Sequence, residues 1–297
     1  MTFMHSTTGS RLGLSVARDA WPTRLALAEQ AQAGFGWVQL HSPPATVLGD
    51  TDAARRHARA VRALLRGTGL RLVLHAPDGL SVGTPQTDAV FSSLLDYAAA
   101  AGAEILAYHV LNFPDSGTDA VGERVRSEET ALPELLQRAP ALGLTVALEN
   151  LCPVYRSPPR LAHDPLAVRD LVRRLALPGT GLLLGVGHLH VTCDAGGHDT
   201  AAVAAACADD VVLVHAHDNF GARRRDVTAS GIDPLRLDLH LAPGMGTVPW
   251  PRVARALAGC SAPAVLEVKR QHQPSLAELH RRASAALSVP RAAQVAA

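Results

Sequence analysis

Short apolar runs alternate along the chain with longer amphipathic stretches rich in Ala, Leu and Arg, and the alternation repeats eight times. The runs at 12–16 (LGLSV), 35–41 (FGWVQLH), 70–75 (LRLVLH), 104–110 (EILAYHV), 144–149 (LTVALE), 180–186 (TGLLLGV), 211–217 (VVLVHAH) and 263–269 (PAVLEVK) read as strands. The stretches near 21–33, 51–67, 86–101, 123–141, 164–176, 199–208, 249–259 and 274–287 read as helices. Asp50-Thr51, Thr84-Pro85 and Asp164-Pro165 are helix-start signals, and Gly34, Gly69, Gly102 and Gly143 stand where helices should end. Strand–helix alternation implies a parallel sheet, and eight units in 297 residues fit a single (β/α)8 barrel spanning 1–297. Residues 1–10 and 289–297 are expected to be flexible ends. The competing open, doubly wound sheet would normally carry a glycine-rich phosphate loop, and neither GxGxxG nor GxxxxGK[ST] occurs.

Composition narrows the function classes. With 47% hydrophobic residues and a mean hydropathy of +0.10, the chain has ample material for a large core. The formal net charge of +1 provides no basic field for nucleic acid and no polybasic tail for a membrane surface. Lys269 is the only lysine among 28 Lys+Arg, so a Schiff-base mechanism would have to use it. Cys152, Cys193, Cys207 and Cys260 are far apart and form no CxxC pair, which argues against a disulfide scaffold or a thiolate zinc site. With no signal-peptide pattern and no run of 18 apolar residues, the expectation is a cytoplasmic protein with no membrane span.

The chemistry gathers at strand ends, where a barrel of this kind builds its site. His75, His109 and Glu149-Asn150 end predicted strands, His188 follows the sixth, and the seventh ends in His215-Ala216-His217-Asp218. Asp238-Leu239-His240 lies in the loop that follows, and Glu267 is near the end of the eighth strand. A lone strand-end histidine is more often a satisfied polar residue than a ligand. Together, imidazoles and carboxylates on one rim suit Zn²⁺, Mn²⁺ or Fe²⁺. His217 shares a face with His215, as a substrate contact, a support for the ligands or a filled barrel position. Lys269 shares a face with Glu267, where it can meet a substrate oxygen or phosphate, or pair with a carboxylate. Arg223, the first of three consecutive arginines, is a candidate substrate contact against the alternative of a solvated run. Asn150 is placed to orient Glu149 or touch substrate, and Cys152 is read as packing.

The segments LHAPDGLSVGTP (74–85), AGAEILAYH (101–109), VALEN (146–150), LLLGVGH (182–188), VHAHDN (214–219), DLHLAPGMGTVPW (238–250) and VLEV (265–268) resemble the xylose-isomerase-like TIM-barrel superfamily. That superfamily unites sugar phosphate isomerases and epimerases with endonuclease IV (AP endonuclease family 2). The resemblance implies three metal clusters: His75, His109 and Glu149; Glu149, His215 and Glu267; and His188, Asp238 and His240. It implies one to three divalent ions (Zn, Mn, Mg or Fe), with Glu149 and Glu267 as the catalytic acid and base of an isomerase or epimerase. The substrate would be a small, sugar-like hydroxy-carbonyl compound, and the chain could form a homo-oligomer. Two positions depart from the pattern: Gly185 stands where LLLDxxH has an aspartate, and Gln39 where epimerases commonly have glutamate. Asp194 or Asp199 is a candidate replacement for the missing ligand. The alternatives are an endonuclease IV-like phosphodiester hydrolase, a multinuclear iron oxidative enzyme, and a degenerate barrel that only binds metal. The balanced charge, the 4% aromatic content, and Asp78 at a place where endonuclease IV has an aromatic weigh against the hydrolase.

Overall fold

A computed structural model describes residues 10–113, 119–153, 160–222 and 238–288. The strands are β1 (Leu12–Ser15), β2 (Trp37–His41), β3 (Arg71–His75), β4 (Ala103–His109), β5 (Thr145–Glu149), β6 (Thr180–Gly185), β7 (Val211–Ala216) and β8 (Ala264–Leu266). All neighbours are parallel, and β8 pairs with β1 to close the barrel in sequence order. The helices are α1 (Arg24–Gln32), α2 (Ala45–Leu48), α3 (Thr51–Leu65), α4 (Pro85–Ala101), α5 (Asp119–Leu136), α6 (Pro165–Leu175), α7 (Val186–Gly196), α8 (Thr200–Cys207), α9 (Trp250–Ala256) and α10 (Leu276–Leu287). This is the single (β/α)8 barrel expected. Among the described residues, no helix is long and apolar enough to cross a membrane.

The start signals act as expected. Asp50 caps α3 through its carboxylate, Thr84 forms a capping box with Thr87 ahead of Pro85, and Asp164 caps α6. Gly102 ends α4 at φ +83°, a left-handed conformation that favours glycine. One helix departs from the sequence expectation. The chain turns from β6 directly into α7, so His188 sits on a helical first turn rather than in a loop. Val186, His188, Leu189, Val191 and Cys193 are all buried, so α7 lacks the one-sided polar stripe that reveals a surface helix.

Two apolar layers frame the site. Trp37, Val73, Ile105, Ala107, Ala147, Leu183, Leu213 and Val265 fill the barrel interior, while a larger cluster packs the outer strand faces against the helices. Behind β4, the buried Glu128 of α5 accepts hydrogen bonds from the Tyr108 hydroxyl at 2.5 Å and the Leu111 N–H at 2.8 Å. Burial pushes the Glu128 carboxyl up to about 7 against the pull of those two donors.

Candidate metal centre

Side chains alternate along a strand, so two residues beyond each interior apolar position lies another inward position nearer the rim. That step leads from Val73 to His75, from Ala107 to His109, from Ala147 to Glu149, from Leu213 to His215 and from Val265 to Glu267. The apolar layer is thereby a floor, and the polar set stands above it at the C-terminal end. Above that set opens a cleft of about 640 Å³, whose lining includes His75, His109, Glu149, His188, Asp238 and Glu267.

Glu149 is the hub. Its Oε2 lies 3.5 Å from His75 Nε2 and 3.3 Å from His109 Nε2. Its Oε1 lies 2.9 Å from His215 Nδ1, which stands 3.2 Å from Glu267 Oε2 on its other side. At the rim, Asp238 Oδ1 is 2.9 Å from His240 Nε2 and 3.5 Å from His188 Nε2. The three clusters implied by the resemblance are thus assembled, and His217 joins the third.

Backbone carbonyls orient the rings. His75 Nδ1 donates to Ala76 O at 2.7 Å, His188 Nδ1 to Asn150 O at 3.0 Å and His240 Nδ1 to Glu267 O at 2.7 Å. Each bond turns Nε2 toward a cluster, as a ligating imidazole requires. Gln39 does the same for His215. Its Nε2 donates to Glu267 Oε1 at 2.6 Å, so its Oε1 accepts from His215 Nε2 at 2.7 Å, and Nδ1 faces the two carboxylates.

The charges are strongly coupled. Burial disfavours charge on Glu149, yet His215, His109 and His75 hold its carboxyl well below the usual range. Glu267 is likewise held low by His215 despite burial. Burial opposes a proton on His215, but Glu267 and Glu149 lift it to about 10; Asp238 and Glu149 overcome burial to lift His188 to about 9.

The donor set fits a divalent cation. Glu149 Oε2 and Asp238 Oδ1 are buried, and neither has a hydrogen-bond partner among the described residues. The imidazole nitrogens nearest Glu149 Oε2, at 3.3 and 3.5 Å, are beyond good hydrogen-bond range, and His240 Nε2, 2.9 Å from Asp238 Oδ1, makes its hydrogen bond to Oδ2 at 3.0 Å. Two ligand atoms held about 2.1 Å from one ion at a tetrahedral angle stand roughly 3.4 Å apart, which is the spacing seen here.

Other expected residues have different surroundings. Lys269 Nζ donates to Asp238 O at 2.5 Å and lies 3.9 Å from its carboxylate, at the cleft wall. Asn150 is buried, with Oδ1 accepting from Gly185 N at 2.8 Å and Nδ2 donating to Gly185 O at 3.3 Å. It therefore ties β5 to β6 and places the carbonyl that orients His188. Neither proposed replacement aspartate joins a cluster: Asp199 caps α8, and Asp194 accepts from Ala222 N at 2.8 Å. A Cβ on Gly185 would stand 2.7 Å from His188 Nδ1, so any side chain there must displace that ring. Arg223 lies outside the described residues.

Two cleft residues were missed in the sequence. His41 ends β2 and was visible by the same strand-end rule; burial, then His75, lowers it to about 4. His163 carried no such signal, because it sits in a turn after β5. Its Nδ1 accepts from Arg160 N–H at 3.2 Å, and burial brings it to about 4.

The profile of the xylose isomerase-like TIM-barrel family matches residues 27–289. No curated protein matches the sequence. Among solved structures, a D-tagatose 3-epimerase-like protein superposes with a TM-score of 0.71 at 17% identity, covering 93% of this chain and 96% of that one. D-Psicose 3-epimerase from Clostridium cellulolyticum H10, solved with D-tagatose, gives 0.67 at 16% identity over 93% and 96%. The IolI protein with a bound zinc atom gives 0.66 at 14% identity over 93% and 95%. At these identities the likeness speaks for the fold alone.

Proposed function

The chain belongs to the xylose isomerase-like TIM-barrel family, and on that premise we propose that it is a divalent-metal-dependent isomerase or epimerase of a small sugar-like hydroxy-carbonyl compound. The observation that carries this reading is the pair Glu149 and Glu267, which converge on one histidine nitrogen, at 2.9 and 3.2 Å, at the base of an open cleft. Glu149, His215 and Glu267 would hold a cation, with His75 and His109 sharing Glu149 in a second cluster. A bound Zn²⁺, Mn²⁺, Mg²⁺ or Fe²⁺ supplies Lewis-acid polarisation of adjacent hydroxyl and carbonyl oxygens, which acidifies the C–H between them. One carboxylate removes that proton and the other delivers one to the neighbouring carbon or the opposite face. Gln39 anchors Glu267 Oε1 and leaves Oε2 directed at the cluster. The epimerases among the structural neighbours give the sugar-like substrate its support.

Three ligand clusters are more than an isomerase needs, and that favours metal-assisted phosphodiester hydrolysis as the second reading. The near-neutral charge opposes it, because a duplex-binding surface is expected to be basic.

The test is elemental analysis of protein purified without added metal, followed by incubation with a panel of ketohexoses in D₂O. Deuterium should enter at the carbon beside the carbonyl, and Glu149→Gln and Glu267→Gln should each slow exchange by roughly 10²–10⁴. Full metal content and full exchange in both variants would refute the assignment.

A further inference from the structure

His217 is the one imidazole of the rim cluster to which the resemblance gives no ligand role. It follows β7 by one residue and is completely buried, with neither ring nitrogen hydrogen-bonded to any described residue. An imidazole buried this way gives up its hydration without return, so an apolar ring would suit the position better unless a nitrogen is used. The ring lies parallel to His240, with centroids 3.9 Å apart, and edge-on to His188 at 4.7 Å. One donor atom each from His188, His217, Asp238 and His240 lies within 4.8 Å of all the others. Gly187 also abuts the ring: a Cβ there would stand 2.4 Å from His217 Nδ1. The absence of that Cβ is what lets the ring lie where one of its nitrogens belongs to the cluster.

We propose that His217 is the fourth protein ligand of a rim cation site formed with His188, Asp238 and His240, and that Gly187 provides the clearance it needs. Three imidazoles and a carboxylate are a zinc donor set, and four protein ligands complete a tetrahedral shell with no position left for substrate. The rim site is therefore structural. It joins the first turn of α7, the end of β7 and the segment 238–240, whereas the Glu149 clusters, with three ligands each, keep positions open for chemistry. This inference does not depend on which reaction Glu149 and Glu267 perform.

The test uses the full chain carrying Glu149→Gln and Glu267→Gln, which removes the carboxylates of the other two clusters, loaded with Zn²⁺ alone or Co²⁺ alone. The expected result is one tightly held Zn²⁺ per chain and the intense visible absorption of four-coordinate Co²⁺. Adding His217→Phe keeps a flat ring beside His240 but offers no nitrogen. It should weaken Zn²⁺ binding by about 100-fold or more and collapse the Co²⁺ bands. If the Phe variant holds Zn²⁺ as tightly with the same spectrum, His217 is only a stacking ring and the proposal fails. Gly187→Ala is the second variant: it keeps every ligand residue and crowds the His217 ring together with its carbonyl oxygen, which the new Cβ would approach to 2.8 Å. It should lower Zn²⁺ affinity about tenfold, and unchanged affinity overturns the role given to Gly187. No substrate enters these measurements, so their outcome is separate from that of the isomerase reading.

Discussion

Glu149 and Asp218 are both buried carboxylates at the C-terminal rim of the barrel, and their surroundings differ in kind. Asp218 Oδ1 accepts from Asn219 N and Val248 N, each at 3.0 Å, and its Oδ2 from Gly244 N at 2.8 Å and Trp250 Nε1 at 2.9 Å. These donors are amide and indole N–H groups that keep their protons, so Asp218 pins the 241–250 loop to the end of β7. Glu149 is surrounded instead by imidazoles, which titrate, and its Oε2 has no hydrogen-bond partner among the described residues. A structural carboxylate uses up its lone pairs on fixed donors. A carboxylate proposed as a metal ligand, such as Glu149, keeps a buried oxygen free of fixed donors.

The largest test of that contrast is Glu149→Gln, expected to cut divalent-metal affinity by about 100-fold or more at the clusters sharing this residue, as read by competition with a chelating dye. Its metal-free melting temperature should change less than that of Asp218→Ala, because the surrounding imidazoles can neutralise themselves. Asp218→Ala leaves four donors unsatisfied, two of them on the loop backbone, and should cost about 3 kcal/mol or more in urea unfolding. A larger loss in Glu149→Gln would reverse the assignment of the two roles.

Glu128 sharpens the contrast from a third environment, since its carboxyl is buried and raised from 4.5 to about 7. The folded chain there keeps a proton that the unfolded chain releases. That stability is fully present below about pH 4.5 and is lost as pH rises through about 7. Relative to Glu128→Gln, the native chain should lose up to about 3 kcal/mol across this window, at about 1.36 kcal/mol per unit. A difference independent of pH would show that Glu128 stays ionised throughout. The smallest effect belongs to Gly185→Asp. It should raise Zn²⁺ affinity at the Glu149–His215–Glu267 cluster about tenfold, while displacing His188 and loosening the rim cluster. Unchanged affinity at both would show that position 185 faces neither.

The contrast also marks how far the sequence could be read. Parity along the strands exposed His75, His109, Glu149, His215 and Glu267, because a period of two fixes which side chains share a barrel layer. Position at the end of a strand groups Asp218 with those residue types, although by parity it is out of step with His215. Only its contacts with Gly244, Val248 and Trp250, some thirty residues away in sequence, show it to be structural. Gln39 looked like a lost glutamate, and its role in orienting His215 depends on a residue 176 positions away. α7 escaped notice because its buried residues, Val186 to Leu189 with Val191 and Cys193, spread around the helix and leave no clear amphipathic period to detect.

The barrel, its eight strand–helix units and the metal-binding residue types at the strand ends can be read along the chain alone. These follow from local periodicity and capping, which act over a few residues. Folding alone selects which nitrogen each histidine presents, which carboxylates are already satisfied, and that Gly187 abuts His217. Those outcomes depend on carbonyls, N–H groups and empty space contributed by distant segments, which meet only when the barrel closes.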